Sequence, residues 1–188
     1  MEAILQKEVI TDRAICRLVG AAAFVFLTAL GAFVRIPLPF SPVPLTLQTF
    51  FVLLSAALLG RRLGSISQLI YISLGVAGVP LFTLSGSGLF YLAGPTGGYL
   101  AGFVLAAFFT GSFLKYAGNR FLSCFILFCI ADALLLACGL LWLKVLLGYP
   151  FKKLMLVGAL PFIPGDLLKA FLVTVIYVRA LPRLKEIF

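Results

Sequence analysis

Three charged side chains stand inside long apolar runs of this chain: Asp132, Asp166 and Lys169. Charge in such a run is expensive, and by default it marks a functional position. The other acidic residues, Glu2, Glu8, Asp12 and Glu186, lie in the terminal segments. Asp166 and Lys169 are spaced i and i+3, so one helix face carries both. They follow Pro161-Phe162-Ile163-Pro164-Gly165. Pro164 suits the first turn of a helix, where its missing N–H is not needed. Asp166 then falls in that first turn, where the helix dipole favours negative charge. Two readings stand. The pair is an intrahelical ion pair that neutralises itself, or it offers a ligand one carboxylate acceptor and one ammonium donor. The second reading fits a small molecule with N–H donors at one end and a carboxylate at the other. Asp132 has no evident partner nearby in sequence. It is neutral, or pairs with Lys169 or Lys144, or faces a neighbouring subunit.

A flat ligand ring also asks for aromatic faces. The chain has 19 Phe, 6 Tyr and 1 Trp, most of which must face lipid or core. Phe40, Phe82, Phe90 and Tyr91 differ by lying in unusual loops, and Tyr71 lies deeper. Each suits ring stacking, and each equally suits interfacial anchoring. Catalysis finds little to work with. There is no His, and no Walker A, GxSxG or HExxH pattern. General acid–base and metal chemistry lack their groups, so the chain reads as a non-enzyme with no cofactor and no metal site. Cys16, Cys124, Cys129 and Cys138 form no CxxC pair and read as small buried hydrophobes.

The elements that must position these residues are membrane helices. Of 188 residues, 63% are apolar and 11% charged, and mean hydropathy is +1.19. A soluble domain is closer to half apolar and a quarter charged. Charges bound the apolar runs, and a span needs about 20 residues. This predicts six transmembrane helices, at 15–34, 45–60, 64–80, 96–116, 121–146 and 156–180, in a single integral membrane domain over 1–188. The polar segment Met1–Arg17 reads as a cytoplasmic lead-in rather than a cleaved signal. The second and third spans meet at a tight basic corner, Arg61-Arg62-Leu63-Gly64. Pro37, Pro39, Pro42 and Pro44 forbid regular helix in Ile36–Leu45. The uncharged loop from Pro80 to Pro95 should pack on protein or line a cavity, because lipid cannot satisfy its backbone.

The net charge of +9 would suggest nucleic acid in a soluble protein. Here the basic residues sit between the apolar runs, as topology determinants do. With the N-terminus inside, the inside holds Lys7, Arg13, Arg17, Arg61, Arg62, Lys115, Arg120, Arg179, Arg183 and Lys185. The outside holds Arg35, Lys144, Lys152 and Lys153. Both termini are therefore expected in the cytoplasm, with the two odd loops, and a ligand pocket, facing outward. Small residues at Gly20, Ala21, Ala22 and Ala23 let a partner helix approach the first span.

Three blocks of this sequence resemble the BioY family, the biotin-specific S components of energy-coupling factor (ECF) transporters. The first is Pro42-Val43-Pro44-Leu45-Thr46-Leu47-Gln48-Thr49, continuing to Leu58-Leu59-Gly60-Arg61-Arg62-Leu63-Gly64. The second is Gly94-Pro95-Thr96-Gly97-Gly98-Tyr99-Leu100. The third is Leu160 to Ala170, with Pro161-Phe162-Ile163-Pro164-Gly165-Asp166 and Lys169. With the helices between them they cover roughly 15–180. The resemblance implies six helices and a substrate-binding subunit that takes biotin from outside. It implies a transmembrane coupling subunit and two cytoplasmic ATPases as partners, in the cytoplasmic membrane of a bacterium. Asp166 and Lys169 inherit a biotin-contacting role, with Lys169 assigned to the carboxylate and Asp166 to the ureido ring. Phe40, Tyr71, Phe82, Phe90, Tyr91, Gly97 and Gly98 complete the expected ligand-binding set. The family's Ala-x-x-x-Ala docking pattern is not matched: Val25, Phe26 and Leu27 stand four residues after Ala21, Ala22 and Ala23. Two other functions fit the same architecture: an S component for another vitamin, and a membrane protein outside transport.

Overall fold

The computed structural model describes residues 2–187, with side chains over 15–180. Lys7, Arg13, Arg183 and Lys185, and most of the expected polar lead-in, lie outside the described side chains. The fold is helical. In chain order it runs α1 (Glu2–Phe33), strands β1 (Arg35–Ile36) and β2 (Leu45–Thr46), α2 (Gln48–Val76), and a 3-10 turn at Thr83–Ser85. Then follow α3 (Leu89–Leu92), α4 (Gly97–Ala117), α5 (Phe121–Leu147), α6 (Phe151–Gly158) and α7 (Ile163–Ile187). The proline-rich loop holds no regular helix: it turns at Pro39 and Phe40, where the Ser41 N–H donates to the Leu38 carbonyl over 3.1 Å, and its ends close as an antiparallel ribbon with Arg35 opposite Thr46.

The 29 residues of α2 do not form one rod. Gly60 has φ 76° and ψ −177°, a conformation that glycine adopts and side-chain-bearing residues avoid. The chain reverses there. The Gln48 amide donates to the Tyr71 hydroxyl over 2.6 Å, and the Gln68 amide donates to Ser55 Oγ over 3.2 Å. In a straight helix the first pair would be about 35 Å apart. The arms 48–59 and 61–76 therefore run antiparallel. Gly64 permits their contact: a Cβ there would lie 2.7 Å from the Ala56 Cα. The sequence put a break at this corner, and the structure puts it at Gly60.

Small residues set the other crossings, as expected of helices that lack a hydrophobic drive between them in lipid. Gly111 of α4 packs on the Arg61 backbone, Gly102 of α4 on Leu135 of α5, and Gly20 of α1 on Leu59. A buried polar cluster (Thr28, Ser55, Ser67, Gln68) joins α1 to both arms of α2. Large apolar side chains cover the outside, including Phe26 at 64% exposure and Val145 at 81%. In water such a surface would aggregate; in lipid it is solvated.

Among the described residues, four helices are long and apolar enough to cross a membrane. A fifth span arises if α6 and residues 163–180, bent by 51°, are taken together. The expected sixth span at 156–180 is thus interrupted: α6 ends at Gly158 and α7 starts at Ile163. The second expected span also starts later, because Leu45 and Thr46 pair with β1 instead of entering the helix.

Among the described residues no atom lies within 4 Å of a Cβ built on Gly60, so Gly60→Ala meets conformational strain alone. The substitution is expected to lower stability by about 1–3 kcal/mol, read as a reduced thermal midpoint in detergent. An unchanged midpoint would show that the reversal does not need glycine.

Candidate functional site

The ion pair forms where the sequence places it. α7 begins at Ile163, so Pro164 sits in its first turn and Asp166 is the acidic residue there. The Asp166 N–H donates to the Phe162 carbonyl over 2.9 Å. One turn on, Lys169 Nζ donates to Asp166 Oδ1 over 2.9 Å. The same ammonium donates to Thr49 Oγ1, also over 2.9 Å, which ties α7 to the first arm of α2. Both charges are buried, Asp166 at 5% exposure and Lys169 at 8%.

The pair forms part of the wall of a cavity whose empty space, about 530 Å³, includes solvent at its open side. Polar groups around it include Thr46, Gln48, Thr49, Thr83, Thr96 and the hydroxyls of Tyr71, Tyr91 and Tyr99. Apolar walls come from Val43, Pro44, Phe82, Leu100, Phe103, Leu135, Leu136 and Phe162. The aromatic wall is held by its own contacts. Phe82 stacks on Tyr91 with centroids 4.8 Å apart, and Tyr71 meets Phe82 edge-on at 5.6 Å. The Tyr71 hydroxyl accepts from Gln48 and donates to the Leu81 carbonyl over 3.1 Å. Tyr91 and Thr83 share a hydroxyl–hydroxyl bond. Tyr99 donates to the Gly158 carbonyl over 2.8 Å, fixing α4 to the end of α6. Leu84 and Ser85 take left-handed backbone. Thr83 is buried in this turn and Leu84 lies outside.

The expected ligand-binding residues divide by position. Asp166, Lys169, Tyr71, Phe82 and Tyr91 meet at the cavity. Phe90 is 94% exposed and Phe40 is 58% exposed, and neither lines it. Gly97 and Gly98 adjoin the cavity residues Thr96 and Tyr99 but serve packing. A Cβ on Gly98 would lie 2.2 Å from Trp142 Cβ, and one on Gly97 would strike the Leu92 carbonyl. Trp142 in turn donates to the Gly94 carbonyl over 2.8 Å. Of the small residues on α1, Ala22 and Ala23 are exposed, Ala21 is buried and Gly20 meets Leu59. Residue-by-residue reading missed Gln48, Thr49, Thr96, Tyr99 and Phe162. Their signal lay in the three sequence blocks, each of which sends residues to the cavity.

The arrangement offers a flat aromatic slot with a carboxylate, an ammonium, an amide and several hydroxyls around it. It suits a small, ring-containing molecule with both N–H donors and a polar acceptor.

Comparison with known proteins agrees. The model of the BioY family matches residues 6–186. The probable biotin transporter BioY of Pyrococcus horikoshii is 39% identical over 158 residues, which cover 84% of this chain and 91% of that protein. The biotin transporter BioY of Thermotoga maritima is 36% identical over 170 residues, 87% of this chain and 94% of that protein. The crystal structure of the S-component for biotin from an ECF-type ABC transporter superposes with a TM-score of 0.82. It is 29% identical and covers 89% of this chain and 92% of that one.

Removing one partner of a buried ion pair leaves an uncompensated charge, at roughly 3–5 kcal/mol. Lys169→Met alone is therefore expected to destabilise the protein more than the double substitution Asp166→Asn/Lys169→Met. Unfolding midpoints in detergent test the order, and equal losses would mean the two charges are not coupled.

Proposed function

The chain belongs to the BioY family, and from that premise we propose that it captures biotin and serves its uptake as the membrane-embedded substrate-binding component of an ECF-type importer. It is a multi-pass membrane protein and not an enzyme. The observation that carries the ligand reading is a buried carboxylate and ammonium in the wall of an aromatic slot.

The 2.9 Å contact between Lys169 and Asp166 bears on which ligand group meets each. The sequence reading sent them to opposite ends of biotin. The valerate chain holds those ends well apart, whereas two side chains in direct contact present a single polar spot. One ligand group must meet both. The ureido group does so: its N–H donates to Asp166, and its carbonyl accepts from Lys169. Gln48 and Thr49 border the same spot, and the stacked Phe82 and Tyr91 give the ring an apolar face.

Six spans, cytoplasmic termini and an outward pocket complete the proposal. The antiparallel arms of α2 count separately in it, beside α1, α4, α5 and α7. Each arm is shorter than the roughly 20 residues of a full span, and the ribbon and the 77–96 loop extend them at the pocket end. The distribution of basic residues supports the orientation. Arg61, Arg62, Lys115 and Arg120 gather at the turn of α2 and the α4–α5 junction, away from the pocket loops. This is the side expected in the cytoplasm. There a transmembrane coupling subunit and two ATPases would supply the energy, with Ala22 and Ala23 of α1 on the face open to docking. A bacterial cytoplasmic membrane is the setting.

Calorimetry with biotin tests the site. Asp166→Asn and Lys169→Ala are each expected to weaken binding by about 30-fold or more, the loss for a buried charged hydrogen bond. Phe90→Ala is expected to leave affinity unchanged. The loss on Lys169→Ala should be equal for biotin and its methyl ester. A loss seen only with the free acid would return Lys169 to the carboxylate. No binding by the intact protein would remove biotin as the cargo.

A further inference from the structure

The pair Asp166–Lys169 has a third member that the ligand site does not use. Asp132 of α5 is 95% buried, and among the described residues its Oδ1 has no hydrogen-bond partner. It does not line the ligand cavity. It lies on the other side, in a cleft bordered by Cys129, Ala133, Leu136, Ile163, Asp166 and Leu167. Asp166 and Leu136 border both spaces. Asp166 is thus the partition, with ligand on one side and Asp132 on the other.

Among the described residues, the charges that act on Asp132 are Asp166 and Lys169, both from α7. Cys129 stands near it on its own helix. Tyr99 of α4 faces Asp166. Arg61 and Arg62 of α2 and Lys152 and Lys153 of α6 are not among the groups that act on it. The set therefore holds two carboxyl groups and one cation. With both carboxyls ionised, a net negative charge would sit unscreened inside the bilayer, which is strongly unfavourable. One proton makes the set neutral. Asp166 already accepts from the Lys169 ammonium and is the carboxyl stabilised as an anion. Asp132 has apolar neighbours and an orphaned oxygen, and takes the proton.

We propose that Asp132 is a neutral, proton-bearing positioning residue that stands behind Asp166, donates its O–H to that carboxylate and holds it toward the ligand. The inference rests on the ligand site proposed above. Asp132 acts only through Asp166, and the geometry that fixes Asp166 is then shared by two helices instead of one.

The first test needs no ligand. Infrared difference spectra of the ligand-free wild-type protein and Asp132→Asn are expected to show one protonated carboxylic acid C=O band in the wild type, absent in the variant. The second is biotin affinity. Asp132→Leu lacks the donor and is expected to lose at least about tenfold in affinity. Asp132→Asn supplies an N–H to Asp166 and is expected to recover most of that loss. A carboxylic acid band that survives in Asp132→Asn overturns the proposal. So does a loss in Asp132→Asn as large as that in Asp166→Asn. If biotin does not bind but the band behaves as stated, the ligand reading fails and the protonation of Asp132 stands.

Discussion

A lysine and an aspartate survive inside a bilayer only when the protein supplies what water would have given them. Here Asp166 supplies the counter-charge and Thr49 a second acceptor for the ammonium. The first turn of α7 favours the carboxylate through its dipole. That requirement reaches far along the chain. Thr49 must stand at the start of the first arm of α2, so the ribbon before it must end beside α7. Leu45 at the ribbon's end meets Gly165, where a Cβ would lie 3.3 Å from its side chain. The break between α6 and α7 lets α7 begin at the depth where Lys169, one turn after Asp166, reaches Thr49.

The same constraint governs the loops. Backbone outside helices is tolerated at membrane depth only where protein covers it. The segment between α2 and α4 obeys this through its own hydrogen bonds. Gly88 donates to the Gly75 carbonyl over 2.7 Å, and Phe82 donates to the Gly86 carbonyl over 3.1 Å. Tyr71 and Trp142 donate to the Leu81 and Gly94 carbonyls. These bonds turn Phe82, Thr83 and Tyr91 toward the cavity. The loop is thus both sealed against lipid and shaped as the aromatic half of the site.

Close helix approach supplies the rest of the frame. Gly64, Gly102 and Gly111 remove side chains where backbones meet, and dispersion over those contacts replaces the hydrophobic drive that lipid withholds. The reversal at Gly60 brings Gln48 to Tyr71, so one tyrosine links both arms to the loop above them. A rod in place of this hairpin would leave Tyr71 far from the ion pair.

Composition and charge spacing determined that this chain is a bundle of membrane helices, because lipid selects for apolar runs and penalises every exception. The same penalty made Asp166 and Lys169 visible, and the proline and glycine content of the two loops marked them as irregular. What the sequence left open was contact. Phe40 and Phe90 read like Phe82, yet only Phe82 turns inward, because loop hydrogen bonds and ring stacking choose among equivalent aromatics. Gln48, Thr49 and Tyr99 look like ordinary helix residues until Gly60 folds one helix back and α4 packs against α6. Asp132 and Asp166 are separated along the chain on different helices, and only the α5–α7 packing brings their carboxyl groups together. Local preference and solvent are written residue by residue, and are legible there. The meeting of distant side chains depends on crossings and breaks that many residues set jointly, so only the tertiary structure decides it.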